Sequence, residues 1–308
     1  MKIAILGSGG VGGYYGARLA RAGQDVTFLA RGAHLDAIRG GGLRIRSAVE
    51  GEYTVAVTAV EKVAGLPAAD AVLLCVKSFD TEAAVEQIRS VVEPETAVLS
   101  LQNGVDNEDK IDALLGAGHA LGGAAYVFAT IEVPGVIAHT FSGRIVLGEL
   151  DGRRTPRAER LREAFTRAGI SAAVSDDIRR VLWEKYLMIS AQAGMTALTR
   201  SPIGVIRELP PTWRMYRVIL EELAALGRAA GVALPVDVVD STVANAGKMA
   251  GHLSSSLHHD LVHGKRLELE ALHGHAIRLG ERHGIPTPTL FAVYAALRPY
   301  AEGPPPES

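Results

Sequence analysis

A short apolar run at the start of the chain, Lys2 to Leu6 (KIAIL), leads straight into glycines at positions 7, 9 and 12. From Val11 onward the spacing turns helical, with Tyr15, Leu19 and Ala22 on one side. Few local sequences restrict the choice of fold so strongly. An apolar run without helical period reads as a parallel strand covered on both faces. Between such a strand and a helix the three glycines have different roles. Gly7 permits a tight turn, Gly9 lets backbone approach a pyrophosphate, and Gly12 lets helix and strand pack closely. The start of the helix adds unpaired N–H groups and a partial positive charge. The stretch Gly7, Ser8, Gly9, Gly10, Val11 and Gly12 therefore reads as a phosphate cradle. A merely glycine-rich turn is the competing reading, and the second strand that follows (DVTFLA) weighs against it.

That second strand ends at Ala30-Arg31. A site for a cofactor with a free ribose 2′-hydroxyl places an acid there. Arg31 suits a 2′-phosphate instead, since a guanidinium offers charge and a planar fork of donors. NADPH is therefore the expected cofactor, against the alternative of a solvated surface arginine. Two further buried strands, DAVLLCV (70–76) and AVLSL (97–101), end in Lys77-Ser78 and in Gln102-Asn103-Gly104. Ligands of open α/β sheets bind at such carboxyl ends, so Lys77 and Asn103 are expected near the nicotinamide. Cys75 reads as a small buried hydrophobe inside its strand.

The pattern then gives two strands between 121 and 150 around a Pro134-Gly135 turn, a charged helix, and a short strand near 170–174. Ser175-Asp176-Asp177 has the makings of a helix start. Beyond it helical patterns dominate: 176–199, 210–231, a broken stretch to 250, 254–281 and 287–299. The expected fold is α/β, with an N-terminal Rossmann-type domain over 1–174 and an all-α domain over 175–308. A length of 308 residues fits two domains. The tail AEGPPPES reads as too polar and proline-rich to pack.

A formal net charge of −2 excludes a basic surface for nucleic acid. A single cysteine cannot form an internal disulfide, which fits a reducing, cytoplasmic setting. No apolar run approaches the ~18 residues of a membrane span. The opening MKIAIL is too short before its glycines for a signal peptide. Six histidines fall between 252 and 275, and His259 and His263 share a helix face, but no third ligand completes a metal site.

The chain resembles the ketopantoate reductase (2-dehydropantoate 2-reductase) family over nearly its full length. The resemblance rests on GSGGVGGYYGARLARAG, LARG, CVKSFDT, LQNGVDN, WEKYLMISAQAGMTALTR, SSLHHDLVHGKRLELEALHG and HGIPTP in that order. It implies NADPH-dependent reduction of ketopantoate to pantoate for pantothenate and coenzyme A synthesis. The implied catalytic groups are Lys185, as proton donor to the developing alkoxide, and Glu268, which also serves the cofactor. Ser256 and Asn103 are implied at the substrate, Arg31 and Lys77 at the cofactor phosphates, and Ala129 as a backbone position near the cofactor. The chain departs from the pattern where many members carry asparagine: here stand Ile189, Ala193 and Leu253. Ser190 and Gln192 are candidate replacements.

A cationic lysine in an otherwise apolar helical stretch (VLWEKYLMI) suits protonation of a carbonyl oxygen, because burial lowers its pKa towards the working range. The competing reading is a lysine reaching solvent or paired with Glu184, Glu221 or Glu222. Two other functions stay open: reduction of a different branched 2-keto acid, and a non-catalytic NADPH sensor. The expected partner is a small-molecule 2-keto acid, with a homodimer open and with no nucleic acid and no membrane. If one helix spans Ser256 and Glu268 the two lie about 18 Å apart, too far for one small substrate. A break near Gly264 is therefore expected, or divided roles.

Overall fold

The computed structural model describes residues 1–304, which fall into two compact units. The first comprises Met1–Gln102 and Asp106–Val181; the second comprises Asn103–Val105 and the chain from Leu182 onward.

The first unit is built on one ten-stranded sheet in the order β4-β3-β9-β8-β7-β6-β1-β2-β5, with β10 on β9. In chain order the strands are β1 Lys2–Leu6, β2 Asp25–Leu29, β3 Leu43–Ser47, β4 Gly51–Val55, β5 Thr58–Val60, β6 Ala71–Leu74, β7 Ala97–Ser100, β8 Ala120–Val133, β9 Val136–Glu149 and β10 Ala172–Val174. The run β5-β2-β1-β6-β7-β8 is parallel throughout. That is the doubly wound order in which the chain reverses direction across the sheet at β1, where ligands bind beyond the strands' carboxyl ends. The helices are α1 Gly10–Arg21, α2 Gly32–Gly41, α3 Thr81–Ile88, α4 Asn107–Leu115 and α5 Pro156–Arg167. Both faces are covered. Tyr14, Tyr15, Leu35, Ile38 and Phe165 pack on one, and Ala84, Val85, Ile88 and Ile111 on the other. This explains why the central strands carry apolar residues at consecutive positions.

Residues 43–60, to which no sequence pattern assigned an element, form β3 to β5. Strand β3 alternates cleanly, with Leu43, Ile45 and Ser47 buried and Arg44 and Arg46 exposed. Its arginines sit on the open face, where the strand pairs antiparallel to β4 and parallel to β9. The turn at Pro134-Gly135 joins β8 and β9 as expected. Cys75 differs from expectation: it lies one residue beyond β6 and is half-buried rather than inside a strand.

The described part of the second unit is helical: α6 Ile178–Thr199, α7 Ile203–Glu208, α8 Pro210–Ala229, α9 Val238–Gly247, α10 Ser256–Val262, α11 His275–His283 and α12 Pro288–Leu297. Helix α6 starts where expected, but its cap is Asp177, whose Oδ1 accepts from the Arg180 N–H at 3.0 Å. Ser175 in turn accepts from the Asp177 N–H. The units divide at Val181, past the 174/175 boundary read from the sequence, because the first turn of α6 packs on the sheet through Ile178 beside Gly148.

The helical pattern over 254–281 breaks, the first of the two outcomes expected for Ser256 and Glu268. Helix α10 ends at Val262, Gly264 adopts a positive φ of 63°, and regular helix resumes only after Glu268. A π-helical turn over Glu270–Gly274 then runs into α11. The tail packs more than expected. Ala301 is buried and accepts from the Leu267 N–H at 2.8 Å, and Pro304 lies against Gly264. Residues 305–308 of the tail lie outside the described residues. Among the described residues no helix is long and apolar enough to cross a membrane.

Candidate functional site

In the first unit the glycine loop follows β1 directly, and each glycine meets a different surrounding. Gly7 has φ 91°, and a Cβ there would come within 2.6 Å of the Val76 backbone N. Gly12 leaves no room either, since a Cβ would overlap the Gly7 carbonyl. Around Gly9 nothing lies within 4 Å of where a Cβ would be. The loop is therefore pressed against its own sheet at Gly7 and Gly12 and open at Gly9, as a cradle for a pyrophosphate requires. Gly9 caps α1, no side chain caps that helix, and no acid sits in its first turn, so its amide end can receive an anion.

Ala129 lies against the glycine loop, a contact that the sequence could not supply. Its carbonyl faces Gly10 so closely that a Cβ at Gly10 would overlap it. Strand β8 thereby fixes the second glycine of the Gly9-Gly10 pair. Ser8 is buried, and Gly9, Gly10 and Val11 are half-buried.

Arg31 stands at the carboxyl end of β2, caps α2 with its extended backbone, and is exposed. Among the described residues its guanidinium has no hydrogen-bond or ion-pair partner, so nothing competes with a ligand phosphate for it. Substituting Arg31 by alanine is expected to erase a preference for NADPH over NADH. One charge-assisted contact accounts for ~1.5–3 kcal/mol. Titration of both proteins with both cofactors measures it, and a preference that survives in the variant contradicts the assignment. Lys77 caps the short turn after β6 and is half-buried.

His34, which the sequence marked only by its nearness to Arg31, ties this region together. Its Nδ1 accepts from the Gly135 N–H at 3.0 Å, which leaves Nε2–H to donate to the Ser8 carbonyl at 2.8 Å. One neutral ring thus links α2, the glycine loop and the β8–β9 turn. Burial holds its pKa below the usual histidine value. Protonation would set one N–H against another at Gly135. The stabilisation is therefore complete above the unfolded value, ~6.5, and is lost as pH falls through the lowered folded one. His34→Phe is expected to cost ~1–3 kcal/mol at neutral pH and to reduce that acid-side loss. Thermal unfolding of both proteins across pH 4 to 8 checks this.

Gln102 is a second residue without a local signal. Its Nε2 donates to the Val76 carbonyl at 3.0 Å and to Thr81 Oγ1 at 2.8 Å, so the tips of β6 and β7 are held in register beside Lys77. Asn103 is half-buried and groups by its contacts with the second unit, where the neighbouring Val105 packs on the helical core.

In the second unit Lys185 lies on α6 with 8% of its surface exposed. The carboxylates offered as alternative partners on α8 are engaged elsewhere. Glu222 accepts from the N–H groups of Thr289 and Leu290 at the start of α12, and Glu221 pairs with Arg217. Glu268, 6% exposed, heads the next helical segment and its carbonyl accepts from the Leu272 N–H. That segment packs along α6: Tyr186 donates its hydroxyl to the Leu272 carbonyl at 2.7 Å, and His273 Nε2 meets the Ser190 carbonyl at 3.1 Å. Gly194 makes room for the His273 ring. Burial pushes His273 down to about 4, so it is a neutral core residue. Ser256 is exposed as the first residue of α10, and its neighbour Ser255 joins Thr196 of α6 through their hydroxyls at 2.7 Å. Ser190 is fully buried with its hydroxyl unpartnered, so it cannot replace a missing asparagine at a ligand. Leu253 and Ile189 keep some exposure, whereas Ala193 is buried. His259 and His263 stack at 4.1 Å, and no group of three metal-ligating side chains occurs among the described residues.

Two family models match the chain. One, described as ketopantoate reductase PanE/ApbA, matches residues 3–152, and the other, its C-terminal part, matches residues 177–301. A 2-dehydropantoate 2-reductase of Mesorhizobium japonicum is 35% identical over 97% of each chain. The crystal structure of a PanE/ApbA family ketopantoate reductase from Ralstonia eutropha is 36% identical, covers 98% of both chains and superposes with a TM-score of 0.90. A 2-dehydropantoate 2-reductase structure from Geobacter metallireducens, 34% identical, covers 97% of this chain and 99% of its own at a TM-score of 0.91.

Proposed function

The chain belongs to the ketopantoate reductase family, and from that membership we infer that it is an NADPH-dependent 2-dehydropantoate 2-reductase. The observation that carries the reading is the coexistence of two features in one chain. One is a glycine loop open at Gly9; the other is a cation at Lys185 that is more than nine-tenths buried. A cofactor sensor needs only the first.

The residues of the first unit fit the cofactor. The loop from Gly7 to Gly12 and the start of α1 would hold the pyrophosphate, Arg31 and Lys77 would contact the cofactor phosphates, and Ala129 would lie near the cofactor through its backbone. Bound NADPH supplies the hydride that reduces the ketone carbon. Lys185 holds a proton for the carbonyl oxygen, so that charge forming there is neutralised as the C–H bond forms. The product is the 2-hydroxy acid, and Lys185 regains its proton from water. Glu268 and Asn103 orient the keto acid and the nicotinamide ribose, and Ser256 contacts the substrate. In this reading residues 1–174 bind the nucleotide and 175–308 bind the keto acid. The enzyme works in the cytoplasm, and a homodimer is compatible with this reading.

Following NADPH absorbance with 2-dehydropantoate and a panel of other branched 2-keto acids tests the reading. A kcat/KM for 2-dehydropantoate well above the rest supports it. Preference for another keto acid replaces the substrate, and NADPH binding without any turnover replaces the enzyme by a sensor.

A further inference from the structure

Helix α6 is buried almost all the way round, and two of its buried polar side chains, Ser190 and Gln192, find no hydrogen-bond partner among the described residues. Thr196 pairs with Ser255 and with the carbonyl of its own preceding turn, and Ser190 is sealed in the core. Gln192 is 8% exposed, yet among the described residues its side-chain amide makes no hydrogen bond. Unlike the Ser190 hydroxyl it is not cut off from solvent. An amide that keeps only this little solvent must be bonded by any ligand that covers it, or be left unpaired at ~1–3 kcal/mol.

Its place on the helix says which ligand. The partly exposed positions of α6 in the second unit begin Glu184, Met188, Ile189, and Gln192 continues that stripe. Seven residues separate Lys185 and Gln192, which at 3.6 residues per turn puts them within about 20° of one another and about 10.5 Å apart along the axis. One turn further on, Thr196 reaches Ser255, the residue before Ser256. Gln192 thus lies between the lysine and Ser256 on one face.

We propose that Gln192 determines specificity by reading, through its amide, a hydroxyl of the keto acid remote from the carbonyl that faces Lys185. The proposal rests on the reductase reading above and deepens it. In 2-dehydropantoate the carboxylate adjoins the ketone, whereas the hydroxyl terminates the far end of the carbon chain. A group two turns along the face meets that end. An amide both donates and accepts, as a hydroxyl does, whereas an ionised carboxylate only accepts. A site built to bond a substrate hydroxyl discriminates strongly against an analogue that lacks it, because the site's own polar group is then left unpaired.

The test compares kcat/KM for 2-dehydropantoate and for 3,3-dimethyl-2-oxobutanoate, the same molecule without the hydroxyl. Wild type should prefer the hydroxylated acid. Gln192→Met, close in length and unbranched, should lower kcat/KM for 2-dehydropantoate by ~10–100-fold, chiefly through KM. The deoxy analogue should change by no more than about twofold, and NADPH affinity should not move. Should the methionine variant fold poorly, Gln192→Asn draws the amide back and should show the same selective loss. Equal losses on both acids, or no loss on either, overturn the proposal. A wild type that does not distinguish the two acids overturns it while leaving the reductase reading standing. Wild type that reduces neither acid removes that reading itself.

Discussion

Replacing Lys185 with alanine is expected to lower kcat by roughly 10²–10⁴-fold while leaving NADPH affinity within a few-fold. The asymmetry follows from when the lysine acts. Charge appears on the carbonyl oxygen only as hydride arrives, so a group that meets that charge contributes to the transition state far more than to the bound ground state. The proposed nucleotide contacts, on the glycine loop, Arg31 and β8, belong to the first unit, whereas Lys185 belongs to the second. Lys185 is 8% exposed, so its aliphatic stem also packs within the helical unit. Circular dichroism and a thermal melt therefore accompany the kinetics, and Lys185→Met, which keeps the stem, should lose kcat to the same extent. A folded variant with near-normal kcat removes the lysine from the reaction.

A second pair of variants separates two adjacent glycines that a sequence pattern treats alike. Gly9→Ala should fold as wild type does, because the new methyl meets open space, and should lose NADPH affinity by an order of magnitude or more because the methyl occupies the phosphate approach. Gly10→Ala should do the reverse in order of cause. Its methyl would overlap the Ala129 carbonyl, so α1 or β8 must shift, at ~1–3 kcal/mol or more, before any ligand is present. Melting temperature without cofactor reads the difference: unchanged for Gly9→Ala and several degrees lower for Gly10→Ala. If both variants melt like wild type, the close seat of the loop on β8 is wrong.

Much of the site was legible because its signals are local. The turn at Gly7, the close packing at Gly12 and the open approach at Gly9 all follow from a short stretch of chain between one strand and one helix. The Pro134-Gly135 turn was readable directly, and the break at Gly264 was one of two outcomes open once the resemblance placed Ser256 and Glu268 at one site. Errors fell where a residue's role is set by distant partners. The alternation in β3 is clear once seen, but its short strand draws its stability from β9, about ninety residues away. The tail packs through Ala301, whose partner Leu267 no composition rule could name.

From the sequence alone, the chain was bound to begin as a nucleotide-binding α/β unit with Arg31 at its second strand end, because backbone sterics and helix periodicity act over a few residues. Tertiary structure alone decided that His34 holds Ser8 and Gly135, partners 26 and 101 residues away, and that Ala129 closes on Gly10. It also decided which polar side chains of α6 are satisfied: Thr196 finds Ser255, whereas Ser190 and Gln192 find no partner among the described residues. Hydrogen-bond satisfaction is a property of whichever chain segments meet, and no local pattern contains the meeting.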